Sequence, residues 1–178
     1  MEVKNVYRQG AEDGLTFGIL LTMISLAFIY SGASSLISVL AVVLLLLPPV
    51  ALYLFQYRYA TRVNNLADIS ALWMLGLMIS LCGSLICGVV TYVWLQYVEP
   101  TFIYDQVQGA INVWKQVPEM SSDPMLENMQ HAIDGGLLPS PIEFVMNMIL
   151  LTTFLGSLQS LLLGVVARFL TKTKSKTN

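Results

Sequence analysis

The sequence predicts an all-α fold, a four-helix transmembrane bundle with a short amphipathic helical cap between the third and fourth spans. Three observations predict it. Apolar residues make up 56% of the 178 positions and charged residues only 11%, against roughly 25% charged residues in an ordinary soluble domain. The charged residues leave three long gaps, and the basic residues fall almost entirely at one end of the predicted spans.

This composition excludes three classes of protein. A soluble enzyme of this length has too few charges here to cover so much apolar surface. A disordered chain would be far less hydrophobic. A nucleic-acid-binding protein needs a basic face, whereas the net charge of this chain is −2. The class that remains is an integral membrane protein.

The gaps between charges set the number of spans. No charged residue occurs in residues 14–57, 69–98 or 144–167, which are 44, 30 and 24 residues long. A helix needs about 20 apolar residues to cross a bilayer, so the first gap holds two spans and each of the others holds one. Unpaired backbone groups are costly in hydrocarbon, so the spans must be helices. The predicted spans are 14–31, 36–55, 70–98 and 141–168, in a single domain of residues 1–178.

Two sequence features predict how the uncharged residues 14–57 divide into two spans. The small residues at 31–35 predict a tight turn between the first two spans. Pro48 and Pro49 remove two backbone donors, which predicts a kink in the second span. An alternative is that Ser31-Gly32-Ala33 ends a cleavable signal peptide, although the acidic pair Glu12-Asp13 precedes the apolar run, where a signal peptide carries positive charge.

Basic residues orient the chain. With four spans, eight of the nine lysines and arginines fall on one side of the membrane and one falls on the other. Because loops rich in lysine and arginine stay in the cytoplasm, both termini are predicted to be cytoplasmic and residues 99–140 to lie on the outer side. The eight are Lys4, Arg8, Arg58, Arg62, Arg168, Lys172, Lys174 and Lys176, and the exception is Lys115.

The outer segment of residues 99–140 is predicted to form two short amphipathic helices. Apolar residues recur at helical spacing on either side of Pro118. These helices either lie as a lid over the ends of the spans or present a docking face to a partner. Aromatic and methionine residues are enriched at interfaces, so the docking face would use Trp114, Met125 and Met129.

Small residues four positions apart mark predicted helix contacts, because they let two backbones approach closely. The third span has Gly76, Ser80, Ser84 and Gly88, and the fourth has Gly156, Ser160 and Gly164. These two faces are predicted to pack on each other or to contact a partner or a second copy. Gln159 is the most polar residue at depth in the fourth span, and an interhelical hydrogen bond is its simplest role.

Few residues are suited to catalysis. The single histidine, His131, has only Glu127 at helical spacing, whereas a metal site needs three or four ligands. Cys82 and Cys87 lie about 140° apart around a helix and are predicted to be packing residues. We therefore expect no catalytic residues, no metal and no cofactor.

Four short motifs carry a resemblance to a known family. They are residues 11–20 (AEDGLTFGIL), Tyr57-Arg58 after the second span, Tyr97-Val98-Glu99-Pro100 at the end of the third, and residues 154–161 (FLGSLQSL). The chain resembles the bacterial membrane family called domain of unknown function 4199. The resemblance implies a small protein of the bacterial inner membrane, with residues 99–140 in the periplasm, and it supplies no catalytic residues.

Three functional hypotheses follow. The first is a non-catalytic accessory or scaffold subunit of a cell-envelope complex, one variant being a partner of a glycosyltransferase that uses a lipid-linked sugar. The second is a small transporter, channel or holin-like pore. The third and weakest is a membrane enzyme that uses the acidic outer segment. The expected partners are the lipid bilayer and either another membrane protein or a second copy of the chain, with no nucleic acid.

Overall fold

The computed structural model describes residues 5–30, 35–63, 68–116 and 124–175. Within these residues it contains no β-strand, which confirms the all-α prediction. The helices of the described residues are α1 (Val6–Ile29), α2 (Ser35–Leu44), α3 (Leu47–Arg62), α4 (Ile69–Tyr97), α5 (Phe102–Gln116), α6 (Pro124–Asp134) and α7 (Pro141–Ser175).

Four stretches are long and apolar enough to cross a membrane, as predicted. They are Val6–Ile29, Val39–Arg62, Ile69–Tyr97 and Pro141–Phe169. By the length and composition of these helices, the chain is a multi-pass membrane protein. The third and fourth spans agree with the expected ones to within one residue. The first begins eight residues before position 14, and the second extends to Arg62, seven residues beyond its expected end at position 55.

Local interactions extend α1 beyond its apolar run. The Asn5 side chain accepts a hydrogen bond from the Tyr7 backbone N–H and so caps the helix. One turn further, Arg8 pairs with Glu12 at 3.4 Å, and Gln9 donates to Asp13 at 2.8 Å. Such i,i+4 pairs favour a helix even where its residues are polar, so the charges mark the edge of the apolar span and not the end of the helix.

The second span is interrupted where a kink was expected. α2 ends at Leu44 and α3 begins at Leu47, with Pro48 and Pro49 in its first turn. The Leu46 N–H reaches back only three residues, to the Val43 carbonyl at 3.1 Å. Proline lacks the N–H that would bond the residue four positions before it, which explains the break. Residues 31–34 of the predicted turn lie outside the described residues.

The described fold divides into two compact units, Met1–Val90 with Met148–Asn178, and Thr91–Asn147. The first unit contains α1 to α3, most of α4 and most of α7, and α4 has the most buried apolar stretch of the four spans, at 50% against 17–22%. The core of this unit includes Leu52, Leu72, Leu75 and Ile79. The single-domain assignment stays a prediction.

α1 and α4 approach closely along three glycines of α1. A Cβ added to Gly10, Gly14 or Gly18 would lie 2.6–2.9 Å from the side chain of Met78, Cys82 or Ile86, respectively. These distances are shorter than real Cβ contacts, so only glycine allows this separation of the two backbones. Gly14 and Gly18 are also four positions apart, and the structure identifies α4 as the helix they contact.

The second unit contains α5 and α6, which pack on each other with Ile111 and Leu126 buried. Trp94, near the end of α4, meets Phe102 edge to face at 5.4 Å. α6 ends at Asp134, and Gly136 follows it with a φ of 62°, the left-handed conformation that closes many helices. The two predicted short helices are therefore present. Pro118, which separates the two predicted helices, lies outside the described residues.

Candidate functional site

The small-residue faces of the third and fourth spans meet in the structure. A Cβ added to Gly76 would collide with the Ser160 side chain, and one added to Gly156 would collide with Ser80. Farther along the same pair of helices, the Ser84 and Thr153 hydroxyls lie 3.0 Å apart and share a hydrogen bond. The close contact between α4 and α7 therefore depends on a glycine of one helix facing a serine of the other, in both directions.

The remaining predicted positions continue this contact. A Cβ on Gly164 would lie 3.3 Å from the Leu72 side chain, a tight contact between α7 and α4. Gly88 is buried in α4, one turn after Ser84. All seven small residues are thus buried or in contact within the chain itself.

A buried glutamine that the sequence analysis did not single out joins three helices. Gln56 of α3 is fully buried. Its Nε2 donates to the Leu72 carbonyl at 3.1 Å, the Ser160 carbonyl at 2.9 Å and the Ser160 hydroxyl at 2.6 Å. It was overlooked because the second span was ended at Phe55, one residue before it. A polar residue that directly follows more than a helical turn of apolar and aromatic residues, at positions 51–55, is the signal that identifies it.

These side chains form a polar seam between α3, α4 and α7, which comprises Gln56, Ser80, Ser84, Thr153 and Ser160. The Ser160 hydroxyl donates onward to the Trp73 carbonyl at 3.2 Å. Two buried atoms of the seam, Gln56 Oε1 and Ser80 Oγ, have no hydrogen-bond partner among the described residues. Hydrogen bonds between membrane helices contribute about 0.6 kcal/mol each on average, so the seam stabilises the bundle moderately.

Gln159 does not belong to this seam, contrary to the role expected of it. Its side chain is exposed and forms no hydrogen bond within the described part of the chain. The reason is its position on α7, since Gln159 is rotated by about 100° from Ser160, which faces α4. The interhelical glutamine of the bundle is Gln56.

Gln159 lies instead in an apolar strip on the outside of α7. The outer strip is Leu155, Gln159, Leu162 and Val166, whose spacing of four, three and four residues places them along one line of the helix. The three apolar members are 47%, 68% and 47% exposed. An apolar strip of this spacing that contains one amide can pack along a second helix.

A cleft of about 240 Å³ lies beside the break in the second span. Its lining is apolar with a few hydroxyls and contains no charged residue. Ser84 belongs both to this cleft and to the polar seam. The cleft is lined by Leu21, Ile24, Ser25, Phe28, Leu45, Ser84, Cys87, Met148 and Thr152.

The proposed outer docking residues are only partly exposed. Met125 has 52% of its surface exposed, whereas Trp114 and Met129 are half-buried. Val113, beside Trp114, is 60% exposed and was not predicted. The α5–α6 pair thus presents Met125 and Val113 at its surface.

The family-like positions lie at the ends of helices. Tyr57 is in the last turns of α3, with its ring stacked at 5.9 Å on that of Tyr53, and Arg58 is exposed beside it. Glu99 and Pro100 are exposed in the short connection between α4 and α5.

The described residues hold no cluster of three histidine, cysteine or acidic side chains that suits a metal ion. His131 Nε2 lies 3.7 Å from Glu127 Oε1 within α6, and both side chains are largely exposed. Glu143 accepts hydrogen bonds from the Ser140 N–H and hydroxyl, both at 2.8 Å, which is the capping-box arrangement at the start of α7.

Comparison with known proteins identifies a family and nothing more specific. A family model described as "Protein of unknown function (DUF4199)" matches residues 12–168. No curated protein and no solved structure matches the chain. The match covers most of the 178 residues, from the middle of α1 to near the end of α7, and confirms the resemblance noted in the sequence. The chain therefore belongs to the DUF4199 family of proteins of unknown function.

Proposed function

We propose that this protein is a non-catalytic accessory or scaffold subunit of a cell-envelope complex in the bacterial inner membrane. In this proposal both termini are cytoplasmic and residues 99–140 are periplasmic. The subunit holds another membrane protein against the outer strip of α7. One observation carries the proposal, which is the exposed amide of Gln159 near the middle of a span.

The depth of Gln159 makes its exposure informative. It lies 18 residues after the start and 10 before the end of the span Pro141–Phe169. Lipid chains at that depth offer no hydrogen-bond donor or acceptor. An amide left without a partner in apolar surroundings costs about 1–3 kcal/mol on scales derived from protein mutations. A partner helix that presents a hydroxyl, an amide or a free carbonyl to Gln159 removes this cost.

The rest of the outer strip supplies the apolar part of such a contact. Leu155 and Leu162 flank Gln159 at the spacing that packs one helix along another. A single polar residue within an apolar seam fixes the register of two helices. The outer strip therefore favours one partner in one alignment, as expected of a subunit in a defined complex.

The pore hypothesis predicts a polar path through the bundle. Within the described residues, the buried polar side chains between α3, α4 and α7 belong to the polar seam, and Gln56, Ser80, Ser84 and Ser160 have at most 1% of their surface exposed. Their close packing favours a structural role. We expect ion and small-solute flux through liposomes that contain the protein to equal that through empty liposomes. Flux above the empty control would support the pore instead.

Co-purification tests the proposed function. A tag after Asn178, extraction of native membranes in mild detergent and mass spectrometry would identify retained proteins. We expect a stoichiometric membrane partner, and we expect Gln159→Leu to lower its recovery by about tenfold, which corresponds to about 1.4 kcal/mol of lost contact. Recovery of a glycosyltransferase would select that variant of the proposal.

A second glutamine provides the matched control. Gln96 is also exposed, but it lies one residue before the end of α4. The substitution Gln96→Leu makes the same chemical change outside the outer strip and should leave recovery of the partner unchanged. Absence of a stoichiometric partner in the wild type, or equal loss in both variants, would contradict the proposal.

A further inference from the structure

Two arginines one turn apart stand without acidic partners at the end of the first unit where α1 begins and α3 ends. Arg58 is exposed and forms no ion pair within the described residues. Arg62 donates from Nη1 to the Gln9 side-chain oxygen at 3.3 Å, a neutral acceptor. The pair therefore keeps its two positive charges available to a ligand.

The neighbouring carboxylates are engaged by other groups. Asp13 accepts from Gln9 Nε2 at 2.8 Å, so one amide separates it from Arg62. Glu12 pairs with Arg8 at 3.4 Å. Asp68 lies 4.0 Å from Arg168. Arg58 thus has no acidic partner among the described residues, and Asp13 reaches Arg62 only through the Gln9 amide.

A buried side-chain amide holds Arg62 in place. Gln9 is 7% exposed, and its amide bridges Arg62 and Asp13, which ties α3 to the first turns of α1. The Thr61 hydroxyl lies 3.1 Å from the Tyr57 carbonyl and 2.9 Å from the Arg58 carbonyl. With a single proton it can donate to one of these two carbonyls, which is a bond within α3 itself.

The depth of this site identifies the anion. Arg62 is the last residue of the span Val39–Arg62, and Gln9 is in the first turns of the span Val6–Ile29. The ends of membrane-spanning helices lie at the level of lipid headgroups. Guanidinium groups bind phosphate oxygens with a planar fork of donors. We propose that Arg58 and Arg62 bind the phosphate of an anionic phospholipid.

The expected strength follows from the number of charges. A basic side chain at an anionic membrane surface strengthens binding roughly fivefold, so two of them should give about 25-fold. We expect phosphatidylglycerol to be retained over phosphatidylcholine by about this factor. The preference should weaken at high ionic strength, since exposed charges are screened within about 10 Å at 0.1 M salt.

Native mass spectrometry of the full chain, extracted from nanodiscs with equal amounts of the two lipids, tests the site. The wild type should keep phosphatidylglycerol, and the double variant Arg58→Gln, Arg62→Gln should lose the preference. Arg8→Gln removes one basic side chain that already has an acidic partner and should keep the preference. The double variant Arg58→Lys, Arg62→Lys retains the charge and should lose part of the preference, because the fork of donors is gone.

Equal retention of both lipids by the wild type would overturn the proposal, and so would a preference that is unchanged in the Arg58→Gln, Arg62→Gln variant. Inorganic phosphate added to the wild type distinguishes the source of the anion. We expect no adduct at millimolar phosphate, and a phosphate adduct without lipid preference would assign the site to a free anion.

The salt dependence of the wild type provides a test even if the variants fail to fold, and a lipid preference that does not change with salt would contradict the site.

Discussion

Two glutamines in membrane spans have opposite surroundings in this protein. Gln56 is fully buried and donates to acceptors on α4 and α7, whereas Gln159 is exposed on α7 without a hydrogen-bond partner among the described residues. The same side chain therefore stabilises the bundle from inside at one position and remains available to another molecule at the other. This difference separates the polar seam, which serves folding, from the outer strip, which we assign to partner binding.

The largest effect is expected at the glycines of α4 and α7 that face the serines of the polar seam. In Gly76→Ala the new methyl group meets the Ser160 side chain, and overpacking of this kind costs about 1–3 kcal/mol. The free energy of unfolding, measured by denaturant titration in detergent, should fall by that amount. Gly109→Ala is the matched control, because nothing lies within 4 Å of the added Cβ. It should raise stability by about 0.5–1 kcal/mol through helix propensity, and equal effects would contradict the close packing of α4 on α7.

Removal of the buried amide should have the next largest effect. Gln56→Leu deletes the hydrogen bonds to Leu72 and Ser160 while roughly preserving volume. At about 0.6 kcal/mol for each interhelical bond, the free energy of unfolding should fall by about 1–2 kcal/mol. The same titration measures it, and unchanged stability would show that Gln56 does not join the helices.

A smaller effect is expected for the pair Ser84 and Thr153. A double-mutant cycle with alanine at each position isolates their hydrogen bond from other changes. We expect a coupling of about 0.6 kcal/mol. A coupling near zero would remove this pair from the polar seam.

The smallest effect on stability is expected at Gln159. In the isolated protein, Gln159→Leu replaces an exposed side chain, and such changes usually stay within about 0.5 kcal/mol. The free energy of unfolding should therefore stay unchanged in Gln159→Leu, while the recovery of the partner falls. A loss of stability as large as that of Gln56→Leu would place Gln159 in the internal packing and contradict the comparison.

The sequence predicted the spans well because their signal is strong. Long apolar runs between charges have few structural solutions in a membrane, and all four appear. The small-residue faces of α4 and α7 were also visible, since glycine and serine at every fourth position serve few purposes other than close packing. The two short helices of the outer segment followed from helical periodicity.

The details that the sequence did not predict depend on helix rotation and on local capping. Gln159 and Ser160 are adjacent in sequence, yet they face in different directions. The spacing of the small residues placed Ser160 on the face toward α4, and the rotation of about 100° between neighbours excludes Gln159 from that face, which the expectation for Gln159 did not take into account. Gln56 was overlooked because the span end was drawn one residue before it. The early start of α1 depends on the Asn5 cap and on side-chain pairs, which a hydropathy argument ignores.

The most direct test of the comparison is photo-crosslinking in native membranes from position 159. A photoreactive amino acid there should form one discrete adduct with another protein. The same probe at position 161 is the control, since Leu161 is exposed on α7 at similar depth but lies about 200° around the helix. An adduct from 159 that is absent from 161 is the predicted result. Lipid adducts alone from position 159, or the same protein adduct from both positions, would contradict the account.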